Sequence, residues 1–513
     1  MPTQELVLDL LLGEGWWGGA IDDGIVMPFG DEPFERDLYG DLTMNQGAPL
    51  LLSSRGRFVW SDEPFAFAVA GGRLRVNGRG ELQQGEGGSS LRGAFRAAAR
   101  RHFPATGQLP DPRLFTAPQY NTWIELMYDQ EQAVVLAYAR AIVEHGFPPG
   151  VLMIDDSWQE DHGTWRFHPG RFPDPQAMIT ELHSLGFTVM LWVSPFVSPD
   201  SAVFRRLEAD GLLLRSADGA TAVRPWWNGH SALLDCTNEG ALDWLHGELG
   251  RLMAETGVDG FKLDAGDPIY YRPDDRSRRP THPNGHCAAW ATSGLRYGLN
   301  ELRACWGLGG QPLAQRLRDK YHSWGADGLA SLIPNGLAQG LAGYAFTCPD
   351  MIGGGEYKSF TDPAFALDQE LVVRYAQCAA LFPMMQFSAA PWRILDAEHL
   401  ACCLQAARLH TELGPAILAL AEHAAASGEP IMRHMAYVCP EGGYEQVRDQ
   451  FLLGDDLLVA PVLARGARRR PVIFPPGIWQ GDDGSLVRGP AVQTVTAPLA
   501  RLPHYRRMGA GQP

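Results

Sequence analysis

A (β/α)8 TIM barrel, an α/β fold, flanked by antiparallel β domains at both ends is the architecture this sequence predicts, and three observations predict it. From Tyr120 the chain alternates short apolar runs with helix-length segments, about eight times over, as a barrel of parallel strands requires. Before it, residues 1–111 are rich in Gly and in short alternations such as Arg73-Leu74-Arg75-Val76-Asn77, which read as antiparallel strands of a sandwich-like domain. After about residue 427 the helical periodicity stops and strand-and-turn text runs to the end. The expected domains are therefore 1–111, 112–427 for the barrel, and 428–513.

The eight expected strands are Asn121–Glu125, Val151–Asp156, Thr188–Pro195, Gly260–Asp264, Leu302–Trp306, Ser323–Asp327, Tyr344–Asp350 and Leu381–Phe387. Segments such as Asp129–His145, Asp174–Leu185 and Ala241–Thr256 carry the helical period between them. With this assignment Glu125, Asp155, Asp156, Asp264, Asp327 and Asp350 gather at the carboxyl ends of strands, the face on which such barrels build active sites.

The composition narrows the partners. The 513-residue chain has a formal net charge of −16 and a pI near 5.4, which argues against nucleic acid or an anionic membrane and favours a neutral ligand. Leu6–Leu12 is short, interrupted by Asp9 and lacks a basic flank, so no signal peptide is expected. The eight cysteines show no CxxC pairing and read as reduced thiols of a cytoplasmic protein. His282, His286 and Cys287 lack a recognisable ligand spacing, and neither metal nor cofactor is expected. Gly353-Gly354-Gly355 lacks the strand and helix context of a phosphate loop. A homo-oligomer is left open.

The chemistry-bearing text starts at Gly260-Phe261-Lys262-Leu263-Asp264. Strand side chains alternate, so Lys262 and Asp264 share a face while Phe261 and Leu263 pack the other way. A lysine there keeps Asp264 ionised, as a carboxylate nucleophile must be, although a buried ion pair has the same wording. Several acids without a metal cluster or a Ser/His/Asp elbow point to glycoside cleavage by two carboxylates. The second is expected at Asp327, where glycines allow a tight turn and Trp324 could shield the group. A simple turn aspartate beside a core tryptophan fits the same text.

The ordered text Ile154-Asp155-Asp156-Ser157-Trp158, Trp165–Pro175, Leu182–Gly186, Leu191–Pro195, Leu234–Asn238, Lys262–Asp267, Trp324–Asp327, Pro349–Gly354 and Gln450–Val462 resembles glycoside hydrolase family 31, a family of retaining α-glycosidases. The resemblance implies Asp264 as nucleophile and Asp327 as general acid/base. It also implies a sugar subsite lined by Asp155 or Asp156, Trp192, Trp227, Lys262 and Asp350, with Trp324 beside the acid. An arginine usually holds the sugar and the acid; Arg316 in Gln315-Arg316 is favoured over Arg303.

Where many α-glucosidases of the family have His-Asp, this chain has Cys348-Pro349-Asp350. That wording, with Tyr120–Trp123 and Asp155–Trp158, is similar to the myogenesis-regulating glycosidase branch, which implies an exo-acting α-galactosidase. An α-glucosidase is the alternative, the Gln-Gln-Arg-Tyr type of text of sulfoquinovosidases is absent, and a catalytically silent carbohydrate-binding homologue is the reading from another class. The partner expected is an oligosaccharide or glycoside, and hydrolysis is not separable from transglycosylation by sequence.

Overall fold

The computed structural model describes residues 4–30, 32–40, 43–361 and 366–509. Eight parallel strands form the central sheet: Gln119–Asn121, Val151–Ile154, Thr188–Val193, Gly260–Leu263, Leu299–Leu302, Gln315–Arg316, Thr347–Cys348 and Gln386–Phe387. The first seven neighbour one another in chain order, and the eighth pairs with the first. Between the seventh and eighth strands, Ile352 N donates to Gln386 O at 2.9 Å, so the barrel is nearly closed.

The expected strands are recovered with three corrections. The fifth strand is Leu299–Leu302 rather than Leu302–Trp306, whose Cys305–Trp306 leaves the barrel sheet. The first strand ends at Asn121, and Trp123–Leu126 turns into a short helix. Ser323–Asp327 is a turn, not a strand; the sixth strand is the two-residue Gln315–Arg316. So short a strand carries no period of its own, and its place is fixed by pairing with Leu302 on one side and with Thr347 and Cys348 on the other.

The helices begin and end where local chemistry says they should. Asp174 caps Pro175–Ser184 by accepting from Ala177 N, with proline at the first helical position. Asn238 caps Glu239–Thr256, and Gly257 closes it in the left-handed conformation.

Two N-terminal sheets precede the barrel. Arg73–Gly78 alternates exposed and buried residues throughout, as its sequence predicts. The helix Leu91–His102 interrupts the strand-and-turn text and was not expected there. The second of these sheets also receives a barrel segment, since Cys305–Trp306 pairs with Gln46–Gly47.

The C-terminal sheet holds six strands, among them the hairpin of Phe451–Leu453 and Leu457–Val459. Buried Arg374 on helix Gln369–Ala380 donates to the carbonyls of Ala467, Ala497, Pro498 and Arg501, fastening that sheet to the barrel. Glu429 makes a second fastening: Arg92 and Arg96 from the N-terminal region and Arg433 beyond the barrel all converge on it. No described helix is long and apolar enough to cross a membrane.

Candidate active site

At the carboxyl ends of the strands lies a cleft of about 240 Å³. Its floor comes from successive strand ends. Asp155 and Asp156 follow the second strand, Trp192 belongs to the third, Lys262 and Asp264 lie on or just past the fourth, Arg303 follows the fifth, and Arg316 ends the sixth.

Strand alternation does what the sequence implied at the fourth strand. Phe261 and Leu263 are buried outward, Phe261 edge-on against Tyr297 with ring centroids 4.9 Å apart, while Lys262 and Asp264 line the cleft. Beyond Asp264 the backbone turns sharply. Ala265 sits at φ 55°, a left-handed conformation costing an alanine about 1–2 kcal/mol, and its N–H returns to Asp264 Oδ1 at 2.9 Å. Gly266 follows at φ +75°, where a Cβ would stand 2.2 Å from Trp290 Cδ1, so only glycine fits.

Asp264 is surrounded by donors and cations. Trp192 Nε1 donates to Oδ2 at 2.8 Å, Lys262 Nζ lies 3.5 Å from Oδ2, and Arg303 Nε lies 3.1 Å from Oδ1. Burial pushes its carboxyl upward, but Lys262, Arg303, Arg316 and the indole N–H together hold it well below the usual carboxylate range. It is therefore ionised at neutral pH.

The remaining floor is also paired. Lys262 Nζ contacts Asp155 Oδ2 at 2.8 Å, and Asp155 N donates to Thr122 Oγ1. Burial outweighs Lys262 at Asp155 and raises its carboxyl. Asp156 moves the opposite way: burial is overcome chiefly by the hydrogen bond with His162, and Gln159, Ser157 N and Asn228 bond to it as well. Trp227 lines the cleft with the Arg303 guanidinium 5.1 Å from its ring centroid.

The two candidate arginines are both present, with different tasks. Arg303 bridges Asp264 and buried Asp267, whose Oδ2 lies 2.6 Å from Nη2. Arg316 Nη1 reaches Asp350 at 2.7 Å and Asp319 at 2.9 Å, and its Nε faces Glu301 at 3.5 Å. Asp350 does not line the cleft. It is fully buried behind Arg316 and accepts from Lys320 N and Gly355 N, both at 2.6 Å, while burial pushes its carboxyl up to about 7.

Asp327 is not in the cleft either, which corrects the sequence-based expectation. It lies exposed on the turn before helix Leu329–Leu341, where Oδ1 accepts from Ser323 Oγ at 2.8 Å. Trp324 turns its Nε1 to Asp368 at 3.0 Å and is not a cleft residue. Both assignments rested on the Trp324-Gly325-Ala326-Asp327 wording, and the turn that carries it faces away from the cleft. Glu125 likewise serves structure: Arg393 and Ala390 N hold its carboxylate.

A further carboxylate that does line the cleft is Asp319, three residues beyond the sixth strand and half-exposed. The N-terminal region holds it in place. Asp22 accepts from Arg318 Nε at 2.9 Å and from Lys320 Nζ at 3.0 Å, bracing both neighbours of Asp319. Gln46 Nε2 donates to the carbonyls of Arg303 and Arg316 at 2.8 and 2.7 Å, and Met44 completes that wall. In the sequence, Asp319 reads as one charge in the loop Leu317-Arg318-Asp319-Lys320; its one signal is the spacing from Gln315-Arg316.

The histidines weighed as metal ligands do other things. His286 stacks on Tyr271 with centroids 4.7 Å apart, and His282 Nδ1 accepts from Gly285 N as a helix cap. All eight cysteines are free, seven of them buried.

Comparison with known proteins places this geometry in a class. The model of the glycosyl hydrolases family 31 TIM-barrel domain matches residues 113–420, and the family's C-terminal domain matches 428–510. The chain therefore belongs to glycoside hydrolase family 31. It is 35% identical over 408 residues to the myogenesis-regulating glycosidase of Mus musculus, covering 78% of this chain and 57% of that protein. It is 26% identical to an α-xylosidase of Emericella nidulans, covering 69% and 46%. A Flavobacterium johnsoniae family 31 dextranase solved with glucose superimposes with a TM-score of 0.87 at 20% identity, over 99% of this chain and 67% of that one, and shares the fold. The chain thus spans about half the length of the curated relatives it matches.

Proposed function

We propose that this protein is a retaining, exo-acting α-glycosidase for neutral terminal sugars, with Asp264 as nucleophile, Asp319 as general acid/base and α-galactosides as preferred substrates. The observation that carries the reading is the pair itself. A buried carboxylate held ionised by three cations and an indole faces the same cleft as a second, half-exposed carboxylate.

The reaction follows from those states. Asp319 gives its proton to the departing glycosidic oxygen while Asp264 attacks the anomeric carbon from the opposite face, forming a covalent β-glycosyl ester. The leaving alcohol departs with that proton. Water then gives a proton to Asp319 and attacks the same carbon, releasing Asp264 and an α-configured sugar. Asp319 acts twice, and its partial exposure gives leaving group and water access to it.

Two features narrow the sugar. The cleft volume of about 240 Å³ is below the roughly 300–1,000 Å³ of sites for larger ligands and suits one terminal ring. Lys262, Arg303 and Arg316 are each already paired with carboxylates, so a sulfonated or carboxylated sugar would find no spare cation on the floor. The preference for α-galactosides rests on the wording of Pro349–Gly354 and Tyr120–Trp123 and on its likeness to one branch of the family.

The test is hydrolysis of aryl α-galactoside, α-glucoside, α-xyloside and sulfoquinovoside, with β-galactoside as control, by wild type and Asp264→Ala, following the anomer of the first product by NMR. Cleavage of the α-galactoside with α product, lost in the variant, is expected. Activity surviving in Asp264→Ala overturns the nucleophile. Preference for another α-glycoside overturns the sugar, and silence across the panel favours a carbohydrate-binding role.

A further inference from the structure

The mouth of the cleft differs from its floor. Where the floor is charged, the mouth is walled by three rings, Trp123, Tyr128 and Tyr357. The Trp123 ring stands 5.5 Å from Tyr128 at 84° and 5.9 Å from Tyr357 at 80°, so the three make two near-perpendicular corners.

Two of these rings are anchored. Trp123 and Tyr357 pack against the small cluster of Ile124, Met351 and Ala389. Trp123 N donates to Asn121 Oδ1 at 2.8 Å and Ile124 N to Ser388 Oγ at 2.7 Å, which tie the segment to the first and eighth strands. Anchored aromatics that line a cleft present a surface whose side-chain entropy is already spent, a property of binding sites.

Their position relative to the acid gives them a side. Glu356 N donates to Lys320 O at 3.0 Å, and a Cβ on Gly355 would stand 2.9 Å from Asp319 Oδ1. The segment 355–357 therefore runs alongside Asp319. The oxygen that receives the Asp319 proton belongs to the leaving group, so whatever that oxygen carries must pass this segment.

We infer that Trp123, Tyr128 and Tyr357, with Glu356 as hydrogen-bond acceptor, form an acceptor subsite for a second, neutral pyranose ring. The C–H face of the ring stacks in the aromatic corner and its hydroxyls donate to Glu356. An anionic aglycone is disfavoured by Glu356 and Asp319 together. This inference rests on the proposed reaction: if Asp319 protonates nothing, the cleft has no leaving-group side.

The experiment compares substrates with and without a sugar beyond the bond. Wild type, Trp123→Ala, Tyr357→Ala, Glu356→Gln and Trp123→Phe are assayed on α-galactosyl and α-glucosyl fluoride and on α-1,4- and α-1,6-linked galactosyl- and glucosyl-glucose. The alanine variants should lower the ratio of disaccharide to fluoride kcat/KM by about 10- to 100-fold, because remote binding energy is lost only where there is a second ring. Trp123→Phe, which keeps an aromatic face, should recover most of that ratio. An unchanged ratio overturns the subsite, whether both substrates are unaffected or both fall together through damage to the barrel. A wild type inert on both fluorides fails the reaction itself, and the subsite falls with it.

Discussion

Lys262 and Asp264 stand two residues apart on one strand, yet the Lys262 ammonium is closer to Asp155, at 2.8 Å, than to Asp264, at 3.5 Å. The lysine thus serves two carboxylates with opposite fates, since burial raises Asp155 while the surrounding cations lower Asp264. One ammonium holds both in place, and the indole of Trp192 adds to Asp264 alone.

Removing that ammonium should change the pH dependence of turnover. Asp264 must be ionised to attack, and its depressed pKa keeps it so as pH falls below the usual carboxylate range. Lys262→Met removes a cation near Asp264, so the acid limb of kcat/KM should move to higher pH, by about one pH unit or more. Profiles carried from pH 8 down to pH 2 check this; no acid limb appearing in the variant above that of wild type would show that Arg303 suffices.

Azide distinguishes the two carboxylates by product stereochemistry. Asp264→Ala should lose activity on the order of 10³- to 10⁶-fold, and azide should restore turnover as the β-glycosyl azide. Asp319→Ala still forms the glycosyl ester from an activated substrate, so azide should yield the α-glycosyl azide. Asp327→Ala, exposed and outside the cleft, should remain within about twofold of wild type, as surface changes generally do. NMR of the azide products reads the first two variants, and kcat/KM without azide reads the third.

Asp22 is a positioning residue for Asp319, because it holds Arg318 and Lys320 on either side of the acid. Asp22→Ala should lower kcat on disaccharides by about 10- to 100-fold through misplacement of the proton donor. Activated aryl glycosides, which need little protonation, should suffer less. Equal losses on both substrate types would mean that Asp22 supports the fold rather than the acid.

Glu429 should set part of the acid stability. Burial opposes its charge, but Arg92, Arg96 and Arg433 hold it well below the usual range. A depressed folded pKa means that its contribution is full above an unfolded value near ~4.3 and is lost as pH falls toward the folded value. Glu429→Gln should destabilise by roughly 2–3 kcal/mol at pH 7, less than a fully buried pair because Arg96 is half-exposed. The Tm difference from wild type, measured at pH 7 and pH 3, should shrink at the lower value.

How much of the site was legible follows from how local each signal is. Lys262 and Asp264 were readable because strand alternation is a property of consecutive residues, and Asp155, Asp156 and Trp192 end or follow strands with clear apolar runs. Trp227 was found by resemblance and not by pattern. The sixth strand is two residues long, so no period announced it, and the acid was sought in the turn that carries Trp324 and Asp327. Asp350 was correctly seen near a strand end, but its burial behind Arg316 depends on contacts with Lys320 and Gly355.

By itself the sequence determined the barrel, its flanking β domains and the strand end that carries Asp264, because periodicity, caps and turns act between near neighbours, while its ordered motifs carried the resemblance to the family. Only the tertiary structure decided which second acid meets the cleft. Asp319 stands there because Asp22, 298 residues from Lys320, braces its loop, and because Gln46, 257 and 270 residues away, holds the carbonyls of Arg303 and Arg316. Contacts so distant along the chain exist only after the N-terminal sheets have closed on the barrel, and no local pattern encodes them.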